Sequence, residues 1–243
     1  MSVALNCDIG EAYGMWRLGD DEAIMPHLAL ANVACGFHAG DPVTIRDTVA
    51  CAKRYGVRVG AHPSYPDLQG FGRREMEMDG DELTAAILYQ VGALRAFLDA
   101  EEMELSHVKP HGALYGRAAR DPAVAHAIAD AAAVFGVPVL GMAGTEHERV
   151  YVARGIEFIS EYYADLDYAD DGSLIITRRH DAYDPGEAIR RVLRAIDEGV
   201  AVTRSGREIP VRADTVCIHS DTPGAAELAR ALEDALEGAH GKA

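Results

Sequence analysis

Positive charge is scarce in this chain: 23 Lys and Arg face 39 Asp and Glu, for a formal net charge of −16. Such a surface repels nucleic-acid backbones and anionic membranes, so neither is an expected partner. An anionic substrate is not excluded, because a locally basic pocket can sit in an acidic protein. Cysteine is also sparse. The four present (Cys7, Cys35, Cys51, Cys217) form no C-x-x-C pair and no dense framework, which suits reduced thiols in a cytoplasm. No apolar stretch reads as a membrane span, and the N-terminus carries no basic, apolar, small-residue leader, so the expected location is cytoplasmic. The nucleotide cradles G-x-x-x-x-G-K-[ST] and G-x-G-x-x-G are missing, as is the G-x-S-x-G elbow of serine hydrolases. H-E-x-x-H is missing too, since His147-Glu148 has no second histidine at the required spacing.

What the chain does contain is alternation. Its 243 residues, 49% hydrophobic and 26% charged, match an ordinary globular composition, and the length suits one large α/β barrel domain as well as two small ones. With no linker or low-complexity segment to break the alternation, one domain spanning residues 1–243 is expected. Seven short apolar runs, at 3–5, 28–34, 57–59, 105–108, 137–140, 157–159 and 215–218, are bounded by Gly, Pro and polar residues. They read as strands buried on both faces. Between them, Asp41-Pro42, Asp121-Pro122, Asp184-Pro185 and Thr222-Pro223 pair a side-chain N-cap with proline at the first helical position. Asp184 has Glu187 three residues on, resembling a capping box. Leu83, Ile87, Val91, Leu94 and Leu98 mark one face of a long helix, and Ile189, Val192, Leu193 and Ile196 a face of another. Strand and helix repeated about seven times imply a mostly parallel sheet closed into a (β/α) barrel. Residues 162–183 interrupt the pattern with an Asp171-Gly172 turn and an extra strand at 173–177, an insertion over the mouth or edge.

Five polar clusters sit at or just past the strand ends: Asn6-Cys7-Asp8, Gly36 to Asp41 with His38, Gly60-Ala61-His62-Pro63, Lys109 to Tyr115 with His111, and His219-Ser220-Asp221. Histidines and carboxylates delivered from many strand ends describe one composite pocket at the carboxyl edge of the sheet, where such folds place their chemistry. One Asp alone is more often a loop hydrogen-bonder. Four histidines beside Gly or Pro weaken that bland explanation, whereas His27, His126, His147 and His240 are given no role. Lys109 at a strand end needs an anion or carboxylate to repay its desolvation. Gly70-Phe71-Gly72-Arg73-Arg74 is either a solvated basic loop or an anion-recognition loop. Met15, Trp16 and Leu18 suit packing or an interface rim. A metal site built from the dispersed histidines plus Asp8 is compatible with imidazole and carboxylate chemistry.

The stretches L-N-C-D-I-G-E from Leu5, N-V-A-C-G-F-H-A-G-D-P from Asn32, G-A-H-P-S-Y-P-D-L-Q-G-F-G-R-R from Gly60, K-P-H-G-A-L-Y from Lys109 and C-I-H-S-D-T-P from Cys217 resemble the LamB/YcsF lactam-utilisation family over nearly the whole chain. The resemblance implies a seven-stranded distorted barrel, similar to polysaccharide deacetylase barrels. It also implies ATP-dependent opening of 5-oxo-L-proline to L-glutamate, carried out with two partner subunits, B and C, and with ATP as co-substrate. This chain departs from the pattern where Leu166 and Thr177 replace two arginines, and where Ser220 replaces a glycine. Those departures leave the exact lactam open, with Arg178 and Arg179 as candidate replacements for the lost charge.

Opening an unstrained lactam needs an acid, a base and cations for the developing anion. Asp8, Asp165 and His62 are the acid–base candidates, and Lys109 and His111 the charge stabilisers. Arg73 and Arg74 are weaker anion binders, and His219 with Asp221 is a candidate oriented pair. Asn6, His38, Tyr115 and Asp221 complete the expected substrate contacts. Two other classes stay open: a metal-dependent deacetylase or amidohydrolase using a divalent ion, and a non-catalytic lactam-binding subunit.

Overall fold

Parallel pairing runs around the molecule without an edge. The computed structural model describes residues 3–176 and 183–240. Among the described residues the strands, in chain order, are β1 (Ala4–Ile9), β2 (Leu30–Ala34), β3 (Arg58–His62), β4 (Leu105–Val108), β5 (Val139–Gly141), β6 (Phe158–Tyr163), β7 (Asp167–Tyr168), β8 (Leu174–Ile175), β9 (Val200–Val202), β10 (Glu208–Pro210) and β11 (Thr215–His219). Seven of them close into a barrel in the order β1-β11-β6-β5-β4-β3-β2. The expected seven-stranded barrel is therefore the observed architecture. The remaining four strands form two small antiparallel hairpins, β7 with β8 and β9 with β10.

The helices pack outside: α1 (Asp21–Ile24), α2 (Pro42–Tyr55), α3 (Gly80–Ala100), α4 (Gly112–Ala118), α5 (Pro122–Phe135), α6 (Glu146–Ala153), α7 (Pro185–Asp197) and α8 (Ala225–His240). Asp41, Asp121 and Asp184 cap α2, α5 and α7 as the Asp-Pro pairs predict, each accepting at least one backbone N–H from just beyond the proline. At Asp184 only half of a capping box forms: its carboxylate accepts the Glu187 N–H, while the Glu187 carboxylate pairs with Arg190. The Thr222-Pro223 signal is displaced, because α8 begins at Ala225, after a turn closed by Thr222 and His219.

The apolar face of α3 is buried as its spacing requires. Its 21 residues are long and apolar enough to cross a membrane, a feature the sequence expectation of no such stretch overlooked. Here α3 lies against β3, β4 and α5, with Gln90 buried and hydrogen-bonded to both backbone groups of Ser64.

Strand boundaries differ from expectation in one consistent direction. The strands read as 3–5, 57–59 and 157–159 continue through Ile9, His62 and Tyr163, so Asn6, Asp8 and Glu161 lie inside strands, not beyond them. A polar residue in a strand looks like an end when the interior is assumed apolar, but the upper barrel here is lined with polar groups. The 162–183 insertion also starts later than expected: Tyr162 and Tyr163 finish β6, and only then does the β7–β8 hairpin fold over the mouth. Thr177, Arg178 and Arg179 lie outside the described residues.

Candidate active site

Alternation along each strand turns every second side chain inward, and the parallel register lines these up across neighbours. Asp8 pairs in register with His219 on β11 and with Asn32 on β2. One layer below, Asn6, Asn32 and His107 make the floor. Asn6 Nδ2 donates to Thr215 Oγ1 at 3.1 Å, and Asn32 Nδ2 donates to Asn6 Oδ1 at 2.9 Å and Asp8 Oδ1 at 2.8 Å. His107 Nε2 meets Asn32 Oδ1 at 2.6 Å. His107 enters where β4 carries an irregularity opposite Gly60, and a Cβ at Gly60 would overlap its ring. Asn6 is thus fully buried structural support rather than the substrate contact expected of it.

Lys109 stands on this floor. Its ammonium donates to Asp8 Oδ1 at 2.8 Å and Cys217 Sγ at 2.9 Å, and lies 3.1 Å from Glu161 Oε2, close enough to pair although the angle falls short of a hydrogen bond. The Tyr163 ring lies 5.2 Å from the same nitrogen. Burial alone would lower the lysine's pKa, but the Asp8, Cys217 and Glu161 charges outweigh it and raise it well above the usual range. Burial would likewise raise the Asp8 carboxyl, yet the positive charges of Lys109 and His219 hold it well below the ordinary value. The expectation that Lys109 meets a carboxylate holds twice over.

Two histidine arrangements flank Asp8. On the β11 side, His219 receives both oxygens of Asp165: the carboxylate accepts the ring Nδ1–H at 2.9 Å and the backbone N–H at 2.9 Å. His219 Nε2 then faces Asp8 Oδ2 at 3.6 Å. Desolvation works against an imidazolium there, but the charge and hydrogen bond of Asp165 raise the pKa to about 9. The expected His219–Asp221 pair is therefore replaced by His219–Asp165, because the chain turns after His219 and sends Asp221 to Arg73 at 3.0 Å.

On the β3–β4 side, His62 Nδ1 donates to the Lys109 carbonyl at 2.7 Å, leaving Nε2 3.2 Å from Asp8 Oδ2. His111, at the start of α4, donates from Nε2 to the Phe71 carbonyl at 2.8 Å, and its Nδ1 lies 3.0 Å from His62 Nε2. His38 stacks on His111 and donates from Nε2 to Glu11 Oε1 at 3.2 Å. Burial pushes the His38 pKa down to about 3 and lowers that of His111.

A narrow cleft of about 30 Å³ ends on Asp8, Lys109, His111 and His219, walled by Tyr115, Tyr163, Leu166, Leu174 and Ile176. Outside it opens a cavity of about 1020 Å³ edged by Arg73, Arg74 and Arg120. Arg74 is tied to Asp67 and Arg120 to Glu75. With the barrel and its polar mouth in place, the sequence profile of the LamB/YcsF family matches residues 3–243. The chain belongs to the LamB/YcsF family.

Among LamB/YcsF relatives, the A subunit of 5-oxoprolinase from Chloroflexus aggregans is 47% identical over 243 residues, covering 98% of this chain and 96% of that one. The lactam utilization protein lamB of Emericella nidulans is 43% identical over 237 residues, covering 96% and 93%. The crystal structure of a lactam utilization protein from Thermus thermophilus is similar with a TM-score of 0.90 at 47% identity, covering 99% of this chain and 98% of that one.

Within this LamB/YcsF barrel, Asp8, His62, Lys109, His111, Asp165 and His219 converge as expected, and Tyr115 and Arg73 reach the cleft wall. Arg74 stays outside it, and His38 lies behind His111. Sequence reasoning assigned no role to Glu11, Asn32, His107, Glu161 or Tyr163. The available signal was spacing: Asn6 and Asp8 share one face of β1, as Glu161 and Tyr163 share one face of β6.

Proposed function

We propose that this chain is the lactam-binding, ring-opening component of an ATP-dependent 5-oxoprolinase, converting 5-oxo-L-proline or a related lactam to L-glutamate together with partner subunits B and C. The observation that carries this reading is Asp8 held as a carboxylate between the Lys109 ammonium and the His219 imidazolium at the end of the cleft. An unstrained amide resists water, so phosphorylation of its oxygen by ATP would make the carbon electrophilic. Asp8 would orient or deprotonate the attacking water, and His219 would protonate the departing ring nitrogen as the C–N bond breaks, leaving an acyl phosphate that a second water cleaves to the carboxylate and inorganic phosphate. Lys109 would offset the negative charge that develops.

A cleft of about 30 Å³ holds roughly one water. A lactam, larger than that, would occupy the adjoining outer cavity, which shares Arg73, Tyr115, Leu174 and Ile176 with the cleft. The arginines at the outer cavity have carboxylate partners, which supports ATP chemistry that depends on another subunit. Met15 and Trp16 are 93% and 72% exposed, an apolar rim suited to such a partner and not the packing contact also considered for them.

The test is glutamate and ADP release from 5-oxo-L-proline by the lone chain, by each pair and by the full mixture. Activity confined to the full mixture supports the proposal. Full activity of the lone chain removes the need for partners, and turnover of a different lactam alone replaces the substrate.

A further inference from the structure

His62 and His111 each spend a ring N–H on a backbone carbonyl, of Lys109 and of Phe71 respectively. A neutral ring that donates through one nitrogen offers only a lone pair at the other. Those lone pairs, at His62 Nε2 and His111 Nδ1, face each other at 3.0 Å. Glu11 Oε1 joins them, 3.2 Å from His111 Nδ1 and 3.9 Å from His62 Nε2. With both rings neutral, three buried acceptors point at one another and repel unless a proton or a metal cation lies between them.

We propose that Glu11, His62 and His111 bind one divalent transition-metal ion, zinc or a close neighbour. A tetrahedral ion with bonds of about 2.0–2.1 Å separates its ligand atoms by about 3.3–3.4 Å, and the three observed separations bracket that value. Two imidazoles and one carboxylate form a donor set suited to such ions, with a further position left for water or substrate. That position opens toward Asp8 Oδ2, 3.2 Å from His62 Nε2, and toward the cleft that Asp8 and His111 line. The carbonyl contacts fix ring orientation in the manner typical of metal ligands.

His38 is a positioning residue. Its ring is stacked on His111 at 3.9 Å and 7°, so the in-plane lone pairs of the two rings run parallel and do not meet at one ion. Its N–H instead orients Glu11. The loop above is built to the same end. Phe71 adopts φ 55, uncommon for a side chain, to aim its carbonyl at His111. Gly72 follows at φ 63, where a Cβ would meet Ser64 Oγ and press on His111 and His38. In a second convergence, of Asp8, Cys217 and His219, Asp8 and Cys217 already hold the Lys109 ammonium, and it carries no such proposal.

The test uses the full chain, stripped with chelator and titrated with Co²⁺ and Zn²⁺ by calorimetry and ligand-field absorption. One equivalent should bind, with an absorption typical of low coordination and a rise in Tm. His38→Gln should weaken affinity by about 10- to 100-fold, and Glu11→Gln and His111→Asn by more. His126→Ala, at an exposed site, should change nothing. Absence of saturable uptake by the wild type, or a site indifferent to both Glu11→Gln and His111→Asn, overturns the proposal. If the variants do not fold, the wild-type ring ¹⁵N resonances decide: zinc must shift His62 Nε2 and His111 Nδ1, and shifts confined to other histidines overturn it. No lactam or nucleotide enters this assay, so its failure is separate from that of the ring-opening reading.

Discussion

The two sides of Asp8 use the same side chain to opposite ends. On the β11 side, a carboxylate takes the far N–H of His219 and makes the imidazolium stable to about pH 9. On the β3–β4 side, neutral carbonyls take the far N–H groups of His62 and His111, and burial lowers the His111 pKa. The partner of the distant nitrogen decides whether a buried histidine offers a proton or a lone pair. Asp8 sits between a proton donor and a pair of electron donors, with Lys109 fixing its charge.

The largest disruption of this contrast is Lys109→Met. It leaves Asp8 and Glu161 buried without their cation, and breaking such a pair costs about 3–5 kcal/mol. Denaturant unfolding should show that loss together with loss of turnover. A stability change near zero would mean the lysine is not what holds these carboxylates.

Asp165→Asn should come next. It removes the charge that raises the His219 pKa, so the alkaline limb of activity should move down from about pH 9 and turnover should fall. The linkage has a definite sign. His219 has a folded pKa raised above its ordinary 6.5, so its stabilising contribution is complete below that value and lost as pH rises through about 9. In the Asn variant the stability–pH curve should flatten over that window. An unchanged pH profile would separate His219 from proton transfer.

Leu166→Arg sharpens the specificity side. Leu166 and Arg73 both line the cleft, and Leu166 is one of the positions where the resemblance implies an arginine. A charge-assisted hydrogen bond is worth about 1.5–3 kcal/mol, so 5-oxo-L-proline should bind roughly tenfold tighter or more. Flat affinity in calorimetry would show that this position does not select the substrate. The smallest effect belongs to Asp121→Ala, whose carboxylate accepts the Ala123 N–H and pairs with Arg117 on the outer helices. Losing the α5 cap should cost about 1 kcal/mol and leave turnover intact, a control for effects that act through stability alone.

The barrel was legible because strand and helix alternate with Asp-Pro caps at three helix starts. The convergence of Asp8, His62, Lys109, His111 and His219 was legible because each lies at the carboxyl end of an apolar run. Pairing was not. His219 takes Asp165 rather than the adjacent Asp221, since a turn after β11 carries Asp221 away to Arg73. Glu161 and His107 were hidden inside strands, where only the closed barrel shows that the inward face is polar. Glu11 stood in a quoted motif without a role, because its partners come from β3 and from two separate loops.

The most direct measurement is ¹⁵N NMR of the imidazole rings across pH. The account predicts that His219 carries protons on both nitrogens at pH 7 and loses one only near pH 9, while His111 keeps a single proton, on Nε2. A His219 that titrates near its ordinary 6.5, or a His111 protonated on Nδ1, would contradict it.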